Sequence, residues 1–301
     1  MSDRDTLDVE ELIQDSSVPY AMASEPPLSF RAAGYEYDHE VLVTLPASYP
    51  VSPERSYPVL WVMDGPFMHM LVAGIVNAYA FGRLLPEMIV ASVGHPSAEG
   101  VAGFAKREID LLPPGSLSRD DDLGDQTEGM VSQEYLDELA KQLKGDKFLD
   151  FLIDDLRPAF GERYRINDDH GLMGHSSGGW FTGYALFARP GGFSRYLIAS
   201  GTNKITIELE AKYAESHKDL PARVFIGAGS GELSFEMSSA RIVSRSVFLA
   251  ENLIMRQYPS LALKSQLYTD RDHFTVMPPM FADGIQHLYA DEAEKLTKMA
   301  V

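Results

Sequence analysis

The residues most able to do chemistry lie in the pentapeptide Gly174–Gly178, which reads Gly-His-Ser-Ser-Gly. It matches the pattern G-x-S-x-G, in which a sharp turn between a strand and a helix lifts a serine hydroxyl above a sheet. Glycines suit such a turn because side chains there would collide with neighbouring backbone. A short apolar strand pattern precedes the pentapeptide and a helical pattern follows it, so Ser176 is the candidate nucleophile.

A serine nucleophile needs a base, and in this arrangement the acid and then the histidine follow the serine in the chain. Three histidines do so. His217 lies in a polar helical stretch that predicts a solvated surface position, and His287 lies inside the last helical pattern. His273 instead follows directly after the last predicted strand, where α/β proteins build their sites. We predict that His273 is the general base.

The acid should lie in the glycine-rich loop after the preceding strand, which spans Gly227–Glu232. Glu232 is the first candidate and Glu236 the second. Such a carboxylate would hold the imidazole tautomer and stabilise the imidazolium without taking the proton. Asp270 and Asp272 flank His273 too closely to orient it, and they are predicted to be turn residues.

Composition removes several classes of function. There are no cysteines, which excludes disulfides, thiolate metal sites and a cysteine nucleophile. The formal net charge of −18, from 44 acidic and 26 basic residues, disfavours nucleic acids and anionic membranes as partners. No membrane span or signal peptide is evident, so we expect a cytoplasmic protein. We expect no metal and no cofactor, and the sequence leaves a homo-oligomer open.

The elements that must position these residues alternate along the chain. Tyr57–Met63 is a near-continuous apolar run, typical of a strand covered on both faces. After it, helical and strand patterns alternate to the end of the chain. This predicts an α/β fold with a mostly parallel central sheet and helices on both faces.

The domain boundaries follow from the same patterns. Residues 1–25 are predicted to be an N-terminal leader, and residues 26–301 a single domain. Residues 97–132 interrupt the alternation with a connection rich in glycine and aspartate. Long connections of this kind are often functional, so we expect a mobile, cap-like insertion over the active-site edge of the sheet that bears on substrate choice; a plain solvated loop is the alternative.

Beyond these single sites, the chain resembles the putative-esterase branch of the α/β hydrolases, from about Glu40 to Leu288. This branch includes enterochelin-type siderophore esterases, esterase D, feruloyl and acetyl-xylan esterases, and mycolyltransferases. The resemblance rests on five spaced segments: Tyr57–Gly65, Arg107–Pro113, Phe148–Pro158, Gly174–Gly179, and Asp272–Phe274 followed by Pro278. It implies an α/β-hydrolase fold with Ser176, His273 and a carboxylate matching Glu232 as a catalytic triad.

The resemblance also implies an oxyanion hole built from the loop at Asp64 and from the backbone N–H of Ser177. The family often uses the N–H of the residue after the loop glycine, but here that residue is Pro66, which has none. Gly65 or Phe67 must donate instead, unless a water does.

The function predicted from these residues is hydrolysis of a carboxylic ester, of small acyl, aryl or lactone type, through an acyl-enzyme. Acyl transfer from the same intermediate and a non-catalytic binding protein on a hydrolase scaffold are the alternatives. Asp64, His175 and Trp180 are the predicted substrate-binding residues. Apolar residues at helical spacing are more often core than pocket, which leaves open whether an acyl pocket is lined by Met68, Met70, Trp180 and Tyr184.

Overall fold

The computed structural model describes residues 19–117, 133–233 and 241–299. Nine strands of these residues form one sheet: β1 Ala23–Ser24, β2 Leu28–Phe30, β3 His39–Leu45, β4 Tyr57–Met63, β5 Ile89–Gly94, β6 Ile166–His175, β7 Arg195–Ala199, β8 Arg223–Gly229 and β9 Ala262–Tyr268. Their order in the sheet is β1-β3-β5-β4-β6-β7-β8-β9, and β2 pairs with β3. β3 runs antiparallel to β5, and the six strands from β5 to β9 in this order are mutually parallel.

Helices connect the parallel strands and cover the sheet on both faces. They are α1 Gly65–Phe81, α2 Val101–Leu111, α3 Gln133–Ala140, α4 Gly145–Asp150, α5 Arg157–Arg163, α6 Ser177–Ala188, α7 Lys204–Ser216, α8 Ile242–Arg256, α9 Met277–Leu288 and α10 Ala290–Met299. A wider π-helical turn, Phe151–Leu156, joins α4 to α5. The predicted α/β class and mostly parallel sheet are confirmed. Within the described ranges, no helix combines the length and apolar character that a membrane crossing requires.

The central strand β4 shows why both faces are covered. All seven of its residues are buried, and successive side chains point to opposite faces of a strand. Trp61 belongs to the larger core cluster, together with Phe181 of α6. Its neighbour Val62 belongs to the second cluster, together with Phe281 of α9. The sheet therefore separates two apolar layers, and strand ends on one edge are left free to build a site.

Two boundaries differ from the sequence prediction. Strand β1 pairs with β3 inside the predicted leader, so the sheet begins before residue 26. The predicted insertion is not a continuous loop, because Val101–Leu111 forms helix α2. Gly100, at the start of α2, and Gly103 within it made this stretch read as a loop, although Leu111 is buried against the main core. The rest of the insertion, residues 118–132, lies outside the described residues.

Strand β6, which carries the elbow, is also longer than predicted. The sequence indicated only residues 171–173, whereas the strand runs over Ile166–His175. Its first half includes the polar run Asn167–Asp169, which masks the strand pattern, yet Ile166 pairs with Tyr57 at the start of β4.

Candidate active site

Four predicted residues lie at the same edge of the sheet, each just beyond the carboxyl end of a parallel strand. Asp64 follows β4, Ser176 follows β6, Glu232 follows β8 by three residues, and His273 lies in the loop after β9. Because parallel strands end at a common edge, residues far apart in sequence meet there. The structure thus brings the candidate nucleophile, base and acid to one place.

The turn at Ser176 has the strained geometry that its glycines predicted. Ser176 has φ 59° and ψ −123°, a conformation that L-residues rarely adopt. A Cβ added to Gly174 would lie 2.2 Å from the carbonyl oxygen of Gly178, and one added to Gly179 would lie 2.5 Å from that of Ala199. Any side chain at either position would displace the turn. The backbone N–H of Ser176 also donates to the Ala199 carbonyl, at 3.0 Å, which ties the turn to β7.

Glu232 and His273 are hydrogen-bonded to each other. The distance from His273 Nδ1 to Glu232 Oε1 is 2.5 Å. The second oxygen of Glu232 accepts the Gly229 N–H at 2.6 Å and the Ser200 hydroxyl at 3.0 Å. Glu232 is only 1% exposed, so these bonds hold a carboxylate away from water beneath the imidazole. Glu236, the second candidate for the acid, lies outside the described residues.

The ring of His175 packs against the ring of His273. The two ring centroids are 4.4 Å apart, and His175 is buried. Burial, followed by the nearby charges of His273 and Arg107, holds the pKa of His175 well below its ordinary value. His175 therefore stays neutral and gives His273 an uncharged surface to pack against.

Ser176 and His273 open onto one cavity of about 1000 Å³, and Asp64, Phe67, Met68 and His175 also line it. Its volume is at the upper end of the range usual for small-molecule sites, roughly 300–1,000 Å³. Phe67 and Phe274 stand at its mouth with 64% and 62% of their surface exposed. The site can therefore accept a bulky, largely apolar molecule beside the serine.

The loop at Asp64 is the predicted site of one half of the oxyanion hole. Asp64 has φ 63°, and helix α1 starts immediately after it, with Pro66 in the first turn, where a missing N–H costs nothing. The N–H of Phe67 donates to the Asp64 carbonyl at 3.0 Å, which removes Phe67 as a donor to substrate. Gly65 and Ser177 are the first residues of α1 and α6, where backbone N–H groups have no acceptor within the helix.

Arg107 on helix α2 connects the two segments that are predicted to form this hole. Its guanidinium binds both carboxylate oxygens of Asp64, with Nη2 2.9 Å from Oδ2. It also pairs with Glu108, and Glu108 accepts the hydroxyl of Ser177 at 2.8 Å. The sequence analysis assigned no role to Arg107 or Glu108. They belong to a segment that carried the family resemblance, which was the available signal.

Three residues that were candidates for the pocket, Trp180, Met70 and Tyr184, lie outside the cavity lining. Trp180 is buried with Leu112, Leu139 and Leu143, and is not among the described residues that line the cavity. Met70 is 84% exposed on α1, and Tyr184 packs against the main core. Helical spacing separates apolar from polar positions, but it does not say which apolar face meets a cavity.

A second cluster of ionisable residues lies beside the cavity wall. Nε2 of His39 and Nε2 of His95 lie 2.9 and 2.8 Å from the same oxygen of Asp110, whose other oxygen accepts the Tyr37 hydroxyl at 2.7 Å. The three side chains His39, His95 and Asp110 could hold a cation. Histidines that ligate a metal normally donate their second N–H to a partner, and Nδ1 of both rings has none among the described residues. Hydrogen bonds to Asp110 account for this cluster better.

The family model described as Putative esterase matches residues 33–257. A curated relative, the siderophore triacetylfusarinine C esterase of Aspergillus fumigatus, is 25% identical over 185 residues, which cover 58% of this chain and 56% of that protein. The alignment thus spans just over half the length of that relative.

Solved structures with the same fold include two hydrolases. An IroE-like serine hydrolase from Shewanella oneidensis has a TM-score of 0.69 at 22% identity, over 88% of this chain and 81% of that one. The siderophore hydrolase EstB from Aspergillus nidulans has a TM-score of 0.70 at 21% identity, over 89% of this chain and 96% of that one. At these identities the likeness establishes the fold, that of the α/β hydrolases.

Proposed function

Because this chain belongs to the putative esterase family, we propose that it is a serine hydrolase that cleaves carboxylic esters through an acyl-enzyme on Ser176. The observation that carries this proposal is the 2.5 Å hydrogen bond between the buried Glu232 and His273, which lines the same cavity as Ser176. A base oriented by an acid beside a serine in a strained turn is the arrangement that activates a hydroxyl for acyl transfer.

In the proposed mechanism, Ser176 Oγ attacks the ester carbonyl while His273 Nε2 takes its proton. Glu232 holds Nδ1–H, which fixes the tautomer and stabilises the imidazolium. The C–O bond to the alcohol then breaks, and His273 returns the proton to the departing alcohol. Water, deprotonated by the same histidine, attacks the acyl-enzyme and releases the acid and the free serine.

The negative charge that develops on the carbonyl oxygen requires donors placed in advance. We assign this role to the backbone N–H groups of Gly65 and Ser177. The Asp64–Arg107–Glu108 network supports the assignment, because it links the loop that carries Gly65 to the side chain of Ser177. Pro66 then needs no replacement donor.

The proposed substrate is a bulky ester. A cavity of about 1000 Å³ is larger than a short acyl chain needs. The curated relative is named as an esterase of a siderophore, triacetylfusarinine C, and EstB is named as a siderophore hydrolase. Siderophore esters and lactones are therefore the first substrates to test, ahead of acetyl and feruloyl esters.

The experiment is covalent labelling by a fluorophosphonate, followed by mass mapping of the modified residue. We expect one adduct on Ser176, protection by a slow ester substrate, and no adduct in Ser176→Ala. Ser97→Ala, another serine on the cavity wall, is the matched control and should label like wild type. Absence of any adduct in a folded protein would favour the binding-protein alternative, and ester formation with added alcohols would favour acyl transfer.

A further inference from the structure

The wall of the cavity carries an excess of negative charge. Among the lining residues that the structure describes, Asp64, Asp110 and Asp272 are acidic and Arg107 is the one strong base. Glu232 is buried and hydrogen-bonded to the lining residue His273, and it places a further carboxylate close behind the wall. The cavity therefore repeats locally the imbalance of the whole chain, whose formal net charge is −18.

Arg107 is not available to balance a negative ligand. It binds both oxygens of Asp64, pairs with Glu108, and lies 3.4 Å from the carbonyl oxygen of His175. Two carboxylates thus share one guanidinium. Burial would lower the pKa of Arg107, but the charges and hydrogen bonds of Asp64 and Glu108 outweigh burial and raise that pKa. Lys106, its neighbour on α2, is paired with Glu99 at 2.8 Å. An anionic substrate would have to displace existing partners to gain a cation.

Asp110 and Asp272 stay ionised. Burial would raise the pKa of Asp110, but hydrogen bonds from His39 and His95 outweigh it and lower that pKa. The backbone N–H groups of Thr275 and Phe274 lower the pKa of Asp272. These charges face the cavity at ordinary pH and repel a negative group by direct Coulomb interaction.

The cavity mouth does not oppose a positive charge. Phe67 and Phe274 expose their rings there, and the face of an aromatic ring attracts a cation such as a quaternary ammonium. Phe148 and Leu111 complete an apolar wall suited to uncharged groups. Neutral and cationic groups therefore find favourable surroundings that an anionic group does not.

From this charge pattern, and resting on the proposed ester hydrolysis, we propose that the cavity selects esters whose non-reacting part is neutral or positively charged and discriminates against anionic ones. The selection acts on the encounter and on binding, because a cavity lined by one sign of charge lowers the local concentration of like-charged molecules. An ester bearing free carboxylates, sulfonates or ionised catechols is a poor substrate by this account.

Three hexanoate esters, whose alcohol parts are cationic, neutral and anionic, test the proposal: choline hexanoate, its uncharged isostere neohexyl hexanoate, and sulfoethyl hexanoate. We expect kcat/KM for the anionic ester to be at least about tenfold below the neutral one at low salt. The gap should narrow as ionic strength rises, because exposed charges are screened beyond about 10 Å at 0.1 M salt. Ser97→Lys, which adds a cation at the wall, should also narrow the gap in kcat/KM between the neutral and anionic esters. The size control Ser97→Met should leave that gap unchanged.

Calorimetric affinities of the same esters for Ser176→Ala separate this inference from the proposed mechanism. If no ester is turned over by wild type, the mechanism fails, and the affinity order of the three esters still decides the charge selection. Anionic and neutral esters that bind and react equally well would overturn the inference, as would a gap that Ser97→Lys leaves unchanged.

Discussion

His273 Nδ1 and Glu232 Oε1 are 2.5 Å apart, and the acid in this pair is held by two further donors, the Gly229 N–H and the Ser200 hydroxyl. This bond favours the tautomer with Nδ1–H toward the fixed carboxylate, which would leave Nε2 as the proton acceptor of the proposed mechanism. The first two predictions test the acid and its support.

Glu232→Gln should lower kcat by a large factor, on the order of 10³ or more, because the amide would favour the wrong tautomer of His273. The measurement is steady-state turnover of a neutral ester, with circular dichroism to confirm the fold. Glu236→Gln is the comparison and should retain activity. A nearly silent Glu232→Gln together with a severe Glu236→Gln would show that the acid is Glu236.

Ser200→Ala should have a smaller effect of the same kind. It removes one of three hydrogen bonds to Glu232 and leaves those from Gly229 and His273. A hydrogen bond to a charged group contributes about 1.5–3 kcal/mol, so we expect kcat to fall by roughly 10- to 150-fold at most. Ser200→Cys, which keeps a weak donor, should recover part of the loss. An activity loss as large as that of Glu232→Gln would indicate that Ser200 acts directly on the substrate.

The proposed triad and the residues that support it differ in how far the sequence could reveal them. The elbow was predictable because its steric demands fall on residues close together in the chain, Gly174 and Gly178. Glu232 and His273 were predictable from their places after successive strands. The pairing of Arg107 with Asp64 was not, because 43 residues separate them and α2 read as a loop. Sequence patterns report local steric demands and the periodicity of buried residues. Contacts across the edge of the sheet depend instead on how whole helices and strands pack.

Arg107→Lys should lower kcat more than it changes KM, by roughly 10- to 100-fold, because a single ammonium cannot hold Asp64, Glu108 and the His175 carbonyl together. Kinetics on a neutral ester at several concentrations separate kcat from KM. The matched control is Arg189→Lys, where an exposed arginine makes a similar fork to Asp154. A pure rise in KM would place Arg107 in substrate binding and not in positioning the oxyanion loop.

Stability should fall as the pH drops below about 6.5, and His170 should carry part of that fall. Burial and then the nearby Arg157 charge lower the pKa of His170 to about 4, whereas in the unfolded chain it is about 6.5. Between these values the unfolded state binds a proton that the folded state does not, so the free energy of unfolding decreases as pH falls. His170→Gln should lose less melting temperature than wild type when the pH is lowered from 7 to about 5. The control His217→Gln, which replaces an exposed histidine, should follow wild type. An equal dependence of melting temperature on pH in wild type and both variants would contradict the part assigned to His170.

The most direct test of the central claim is turnover by Ser176→Ala on a neutral ester, with and without EDTA in the wild-type assay. The account predicts a folded variant whose kcat falls by a factor on the order of 10⁴ to 10⁶, since only binding and the oxyanion hole remain. It also predicts that wild-type activity is insensitive to the chelator. Turnover by Ser176→Ala close to that of wild type, or activity lost to EDTA and restored by metal, would contradict a serine nucleophile.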